Sequence, residues 1–230
     1  MFFAAGASCL VGCALLGCAG EPPLVVAAPV EVKEAIDAPS SIGFESEVGG
    51  LPEEAMGRAF ASLGKNVEGC VSEGYAHVDS LGGHVKIALR IDTSGNATSV
   101  FLSESALGDR PTEKCIIDAA KQMSWPHAVG GVGVAQATYD TTPAKDRATW
   151  DEKKVRPAIA QARAQAARCK QSSGSDFVVT AYVRSDGRVQ AAGLSMSSAE
   201  ADEAADCIVA AVRKVRFGYP GKEAKLTFSL

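Results

Sequence analysis

Between Val85 and Ile91 apolar residues occupy every second position, with Lys86, Ala88 and Arg90 between them. That is the period of a strand buried on one face. Ser94-Gly95 follows as a turn, and a second apolar run passes through Val100 and Leu102, which together predict a hairpin. Upstream, Met56, Phe60, Leu63, Val67 and Cys70 fall on one stripe of a helix opened by Leu51-Pro52-Glu53-Glu54. Downstream, Ile116, Ala119, Ala120 and Met123 mark a second helix, Trp125-Pro126 closes it, and Val134 to Tyr139 reads as a last strand.

The whole pattern then recurs. Gly187, Cys207 and Phe217 stand ninety-two residues after Gly95, Cys115 and Trp125. Val155, Ile159, Ala162, Ala166 and Cys169 stand ninety-nine after the stripe that begins at Met56, so Pro157 must lie in a first helical turn. The change of offset leaves seven extra residues in the first copy, within Gly74 to Gly83. An internal repeat settles architecture first. The expected fold is α+β: two tandem modules, 51–140 and 150–230, each α-β-β-α-β with a three-stranded antiparallel sheet packed by two helices. Residues 141–149 are expected to form a polar linker.

Composition narrows the setting. The 230 residues carry a net charge of −4 with mixed signs, which offers no electrostatic footprint for nucleic acid. Residues 1–18 are apolar or small and uncharged, a run of signal-peptide length that is too short to span a bilayer. It ends in Leu15-Leu16-Gly17-Cys18, which resembles a bacterial lipobox with Cys18 as the lipidated residue. Ala19 after it implies an outer-membrane lipoprotein facing the periplasm, although a basic n-region is missing. Residues 19–50, with Pro22, Pro23, Pro29 and Pro39, read as a tether with a reach of about 5–6 Å × √n. Ile42 to Val48 could alternatively pack on the first module.

Four cysteines remain in the folded part, one before the hairpin and one in the second helix of each copy. They allow three connectivities. Modules that fold by themselves should pair internally, giving Cys70–Cys115 and Cys169–Cys207. Such bridges form outside the cytosol and would each contribute about 4 kcal/mol in the chain-entropy model.

A Cys ending a first helix, an apolar strand, a Gly turn, a Cys-Ile helix, an aromatic-Pro-Gly segment and a final strand together resemble the AgmX/PglI C-terminal domain, a relative of the TonB C-terminal fold. The matching positions are Cys70, Gly95, Leu107-Gly108-Asp109, Cys115-Ile116, Trp125-Pro126 and Gly130-Gly131. In the second copy they are Cys169, Asp186-Gly187, Cys207-Ile208, Phe217 and Gly221. Ser197 to Ala201 and Gly218 depart from the pattern there. The resemblance implies a non-enzymatic protein that binds or scaffolds other cell-envelope proteins, in gliding motility or TonB-like assemblies. It also implies that a partner adds a strand to an open sheet edge, at Val134–Tyr139 or Lys225–Leu230, with Thr227 the position to test in the latter.

Other chemistry is sparse. Trp125 and Phe217 are either core residues or aromatic binding anchors, and anchors would suit a peptidoglycan or glycan module. His77 and His84, with Asp79, lie in or beside the extra segment and would be the ligands of a zinc hydrolase. Surface histidines in a loop are the plainer reading. No phosphate loop or nucleophile elbow is present, and the residues call for no cofactor and no resident metal.

Overall fold

The computed structural model describes residues 41–46, 50–143, 145, 147–170, 176–218 and 221–230. The lipobox with Cys18 and most of the tether lie outside the described residues. The chain is α+β, and the order helix-strand-strand-helix-strand occurs twice. The first set is α1 (Glu53–Gly74), β2 (Gly83–Ile91), β3 (Ala97–Ser105), α2 (Arg110–Gln122) and β4 (Gly133–Thr141). The second is α3 (Arg156–Lys170), β6 (Phe177–Val183), β7 (Val189–Met196), α4 (Asp202–Val212) and β8 (Ala224–Ser229).

Each set supplies three antiparallel strands, and each sheet is then extended by a fourth that the hydrophobic pattern did not reveal. β1 (Ser41–Ser46), inside the stretch expected as tether, pairs antiparallel with β4, so Ile42 to Ser46 does lie on the first half, as the alternative reading had it, but as a strand rather than a loop. β5 (Ala148–Thr149), inside the expected linker, pairs parallel with β8 over two residues. The sheet orders are β1-β4-β2-β3 and β5-β8-β6-β7. β4 is therefore an inner strand, and Val134–Tyr139 is not the open edge it was expected to be.

Local chemistry explains the elements. Pro52 precedes α1, and Glu53 and Glu54 sit in its first turn, where acidic side chains suit the helix dipole. The Asp109 carboxylate caps α2 by accepting from the Thr112 N–H, with Pro111 in the first turn. Pro157 is the second residue of α3, a position that tolerates it. The hairpin turns need glycine for more than a positive φ. A Cβ on Gly95 would lie 2.4 Å from the Trp125 carbonyl oxygen, and one on Gly187 would lie 1.6 Å from that of Gly218. Both turn carbonyls are also acceptors, Gly95 O from the Trp125 N–H and Gly187 O from the Phe217 N–H, each at 2.9 Å. The same backbone bond thus ties each glycine turn to the position of the following aromatic in both halves.

Two cores result. In the first, Phe60 meets Trp125 edge-on at 5.2 Å between α1, α2 and the sheet, and the Tyr139 hydroxyl donates to Phe60 O at 2.8 Å. In the second, Phe217 and Phe228 lie 5.9 Å apart among Ile159, Leu194 and Ile208. The cores are not sealed from each other. Tyr182 and Ala191 of the second half belong to the first core, and Phe101 of β3 packs against the second.

Candidate functional site

A disulfide ties the two helices of each half together, Cys70–Cys115 joining α1 to α2 and Cys169–Cys207 joining α3 to α4. Each closes a loop of 45 or 38 residues over its sheet. Both pairs are those expected from the repeat.

The most chemically structured region is the seam between the halves. The segment Gly74–Gly83, which holds the seven residues the first half has in excess, forms a platform whose Val78 and Leu81 are fully buried. Its backbone carbonyls accept from the second half: His77 O from Gln190 at 2.8 Å, Ser80 O from the Tyr182 hydroxyl at 3.3 Å, and Gly82 O from Lys225 at 2.7 Å. Asp79 adds ion pairs to Arg147 at 3.0 Å and Lys145 at 2.7 Å, and these two donors hold its carboxyl below the usual range. Lys225 also lies 5.3 Å from the Tyr182 ring centroid, and burial pulls its ammonium down to about 8.

At the other end of the seam α2 meets α4. The Arg110 side chain is 5% exposed, and its guanidinium donates to the Asp202 and Asp206 carboxylates, the latter at 2.7 Å. Lys114 adds a 3.0 Å pair with Asp206. Beside them Glu113 is completely buried, accepting from Ser105 Oγ at 2.6 Å and from the Leu194 N–H at 2.9 Å. Leu194 lies on β7, the outer strand of its sheet, so Glu113 satisfies an edge N–H that no strand takes. Gly193 makes room, because a Cβ there would sit 2.2 Å from a Glu113 carboxyl oxygen. Burial pushes the Glu113 carboxyl up to about 7, against the hydrogen bonds from Ser105 and Leu194 that favour its charge.

The residues singled out in the sequence are dispersed. Trp125 and Phe217 are 3% and 2% exposed, and Trp125 Nε1 donates to Ala120 O at 2.9 Å. Their rings fill the cores, which removes the aromatic face a glycan module would use. His77 pairs with Asp109 at 3.0 Å and His84 faces Glu104 at 3.7 Å, while Asp79 is engaged by Lys145 and Arg147. The three do not converge, and among the described residues no group of three His, Cys, Asp or Glu could hold a metal.

Thr227 is exposed on β8. Lys225 O, two residues before, accepts from the Trp150 N–H, and Ser229 O, two residues after, accepts from Arg163 at 2.8 Å. By strand alternation the Thr227 backbone also faces outward, past the two-residue cover of β5.

Sequence reading passed over Arg110, Glu113, Tyr182 and Lys225. A signal existed for the first: Arg110 and Lys114 carry charge opposite to Asp202 and Asp206, each pair 92 positions apart. Compared with known proteins, the chain matches no family model, no curated protein and no solved structure.

Proposed function

We propose that this chain is a non-enzymatic outer-membrane lipoprotein, held at Cys18, whose two tandem AgmX/PglI-like modules face the periplasm and bind or scaffold other envelope proteins. The observation that carries the reading is one helix-to-helix disulfide in each half, a device suited to an oxidising compartment. The lipobox-like Leu15-Leu16-Gly17-Cys18 supports anchoring. For binding, the outward backbone around Thr227 favours capture of an extended partner segment by β8.

The test begins with the intact mass and peptide map of protein taken from its native envelope without reductant. Diacylated Cys18 together with both bridges is expected, and an unprocessed N-terminus with free thiols would overturn the reading. Thr227→Pro then removes an outward N–H while sparing the ladder to β6. Cross-linked partner should disappear with Cys169–Cys207 still formed, and undiminished capture would sink the edge-pairing mode.

A further inference from the structure

α1 and α3 hold equivalent places in the two halves, each bridged by its last cysteine to the following helix, and they bury the same stripe. Their outer faces differ in kind. α1 carries Glu53, Glu54, Glu68 and Glu73 against Arg58 and Lys65. In the second half Glu152 repeats Glu53, but no Asp or Glu follows it before Asp176, whereas Lys153, Lys154, Arg156, Arg163, Arg168 and Lys170 all lie in that interval. Gly57, Gly64 and Gly69 of α1 correspond to Arg156, Arg163 and Arg168, and Glu54 corresponds to Lys153. A Cβ on Gly57 or Gly69 would meet nothing within 4 Å, so packing does not demand glycine there. The difference between the two helices is one of charge at positions open to the outside.

Lys153 and Lys154, in the 3-10 turn Glu152–Val155 that leads into α3, are exposed, as are Arg156 and Arg168 of α3 and its alanines Ala160, Ala164 and Ala167. The short alanine side chains leave room for the long basic stems to spread beside them while their charged heads stay in water. The 15 residues of α3 extend this face over roughly 22 Å, on the scale of several lipid headgroups. The chain as a whole is acidic, at −4, so the face is a local exception rather than a reflection of composition. Arg163 and Lys170 turn inward to carbonyls at the end of β8, Ser229 O and Leu230 O, and fix that border of the face.

We infer that the outer face of α3 is a contact surface for the anionic headgroups of a phospholipid bilayer. The inference rests on the lipoprotein reading for its choice of partner: a chain tethered to a bilayer has that surface always within reach, at high effective concentration. Phosphates and bidentate arginines are complementary in charge and geometry. Each basic side chain brought to an anionic surface adds about a factor of five to partitioning, and salt weakens the effect. Four exposed cations then hold the second half against the membrane once a lipid anchor has brought it there, an arrangement that needs both signals.

The experiment uses full-length lipidated protein reconstituted into phosphatidylcholine vesicles with or without phosphatidylglycerol, followed by amine-reactive labelling and peptide mapping. Lys153 and Lys154 should be protected several-fold only when phosphatidylglycerol is present. Lys65 and Lys121, exposed on the first half, should label equally in both, and high salt should restore labelling of Lys153 and Lys154. The double variant Arg156→Glu/Arg168→Glu should lose the protection while its mass still reports Cys169–Cys207. Equal labelling of Lys153 and Lys154 in both vesicle types would overturn the inference, and so would protection that survives the double variant. Should the mass show no lipid on Cys18, the lipoprotein reading fails by that result alone. Cosedimentation of the same protein with the two vesicle types then decides the face separately: pelleting that depends on phosphatidylglycerol and on Arg156 and Arg168 supports it, and indifference to lipid charge overturns it.

Discussion

Arg110 and Asp202 hold equivalent places in the two halves, 92 positions apart, and they are bonded to each other across the seam. Lys114 and Asp206, again 92 apart, repeat the relationship one helical turn on. Where equivalent surfaces of a duplicated pattern meet, identical side chains would set like charge against like. Opposite charge at both positions turns that repulsion into a specific attraction and makes the halves partners that cannot exchange roles. Arg110 is nearly buried, so its two carboxylates are needed to offset the cost of taking the guanidinium out of water.

Removing that guanidinium should be expensive. Arg110→Ala takes a partner from Asp202 and Asp206, which are part-exposed, with Asp206 still paired to Lys114, and should lower the unfolding free energy by about 1–3 kcal/mol, as measured by urea denaturation. The exchange Arg110→Asp with Asp202→Arg should recover part of the loss relative to Arg110→Asp alone. A double-mutant cycle with no coupling would show that the pair contributes nothing to docking.

Glu113 makes stability depend on pH in an unusual direction. Its carboxyl is pushed from 4.5 up to about 7, so between these values the folded protein holds more proton than the unfolded chain. The protonated form's contribution is complete below pH 4.5 and is lost as pH rises through 7, a change of about 3 kcal/mol. Glu113→Gln should flatten that part of the profile and be more stable than the parent above pH 7. Parallel urea titrations from pH 4.5 to 8 give the answer, with a parent curve that matches the variant counting against a buried carboxyl.

Cutting either staple should cost several kcal/mol. Cys70→Ser/Cys115→Ser and Cys169→Ser/Cys207→Ser each release a loop of 45 or 38 residues, worth about 4 kcal/mol in the unfolded chain. Calorimetry of the two double variants should show lowered melting temperatures. Because the halves share the Tyr182 and Phe101 contacts, each variant should still melt in one transition, and two separated transitions would indicate independent halves.

Trp125 should behave as a core residue. Trp125→Ala removes the edge-on partner of Phe60 and the bond to Ala120 O, at a cost of about 3–5 kcal/mol in denaturant. A variant of parental stability that had lost retention on peptidoglycan would instead restore an exposed aromatic site.

Much of the fold was legible in the chain because it rests on local regularities. The alternation from Val85 to Ile91, the stripe from Met56 to Cys70 and the glycine-to-aromatic spacing each encode an element through a period or a steric need. The repeat carried that reading to the second half and selected the cysteine pairs. β5 escaped because a two-residue strand that completes an existing sheet draws its bonds from the backbone and leaves little trace in side-chain pattern, whereas β1 carries a short alternation at Ile42 and Phe44 that the proline-containing stretch around it outweighed.

What the sequence determined by itself was therefore the set of helices and hairpins, the two cysteine pairs and the burial of their stripes, because these follow from periodicity and short-range stereochemistry. Only the tertiary structure decided what the extra segment is for and where function can reside. The carbonyls of His77, Ser80 and Gly82 carry no side-chain signature, yet three donors from the second half converge on them. Glu113 looks like any helical glutamate until β7 closes over it and presents the Leu194 N–H. Contacts between residues eighty or more positions apart depend on how two sheets dock, and that is a property of surfaces rather than of any stretch of chain.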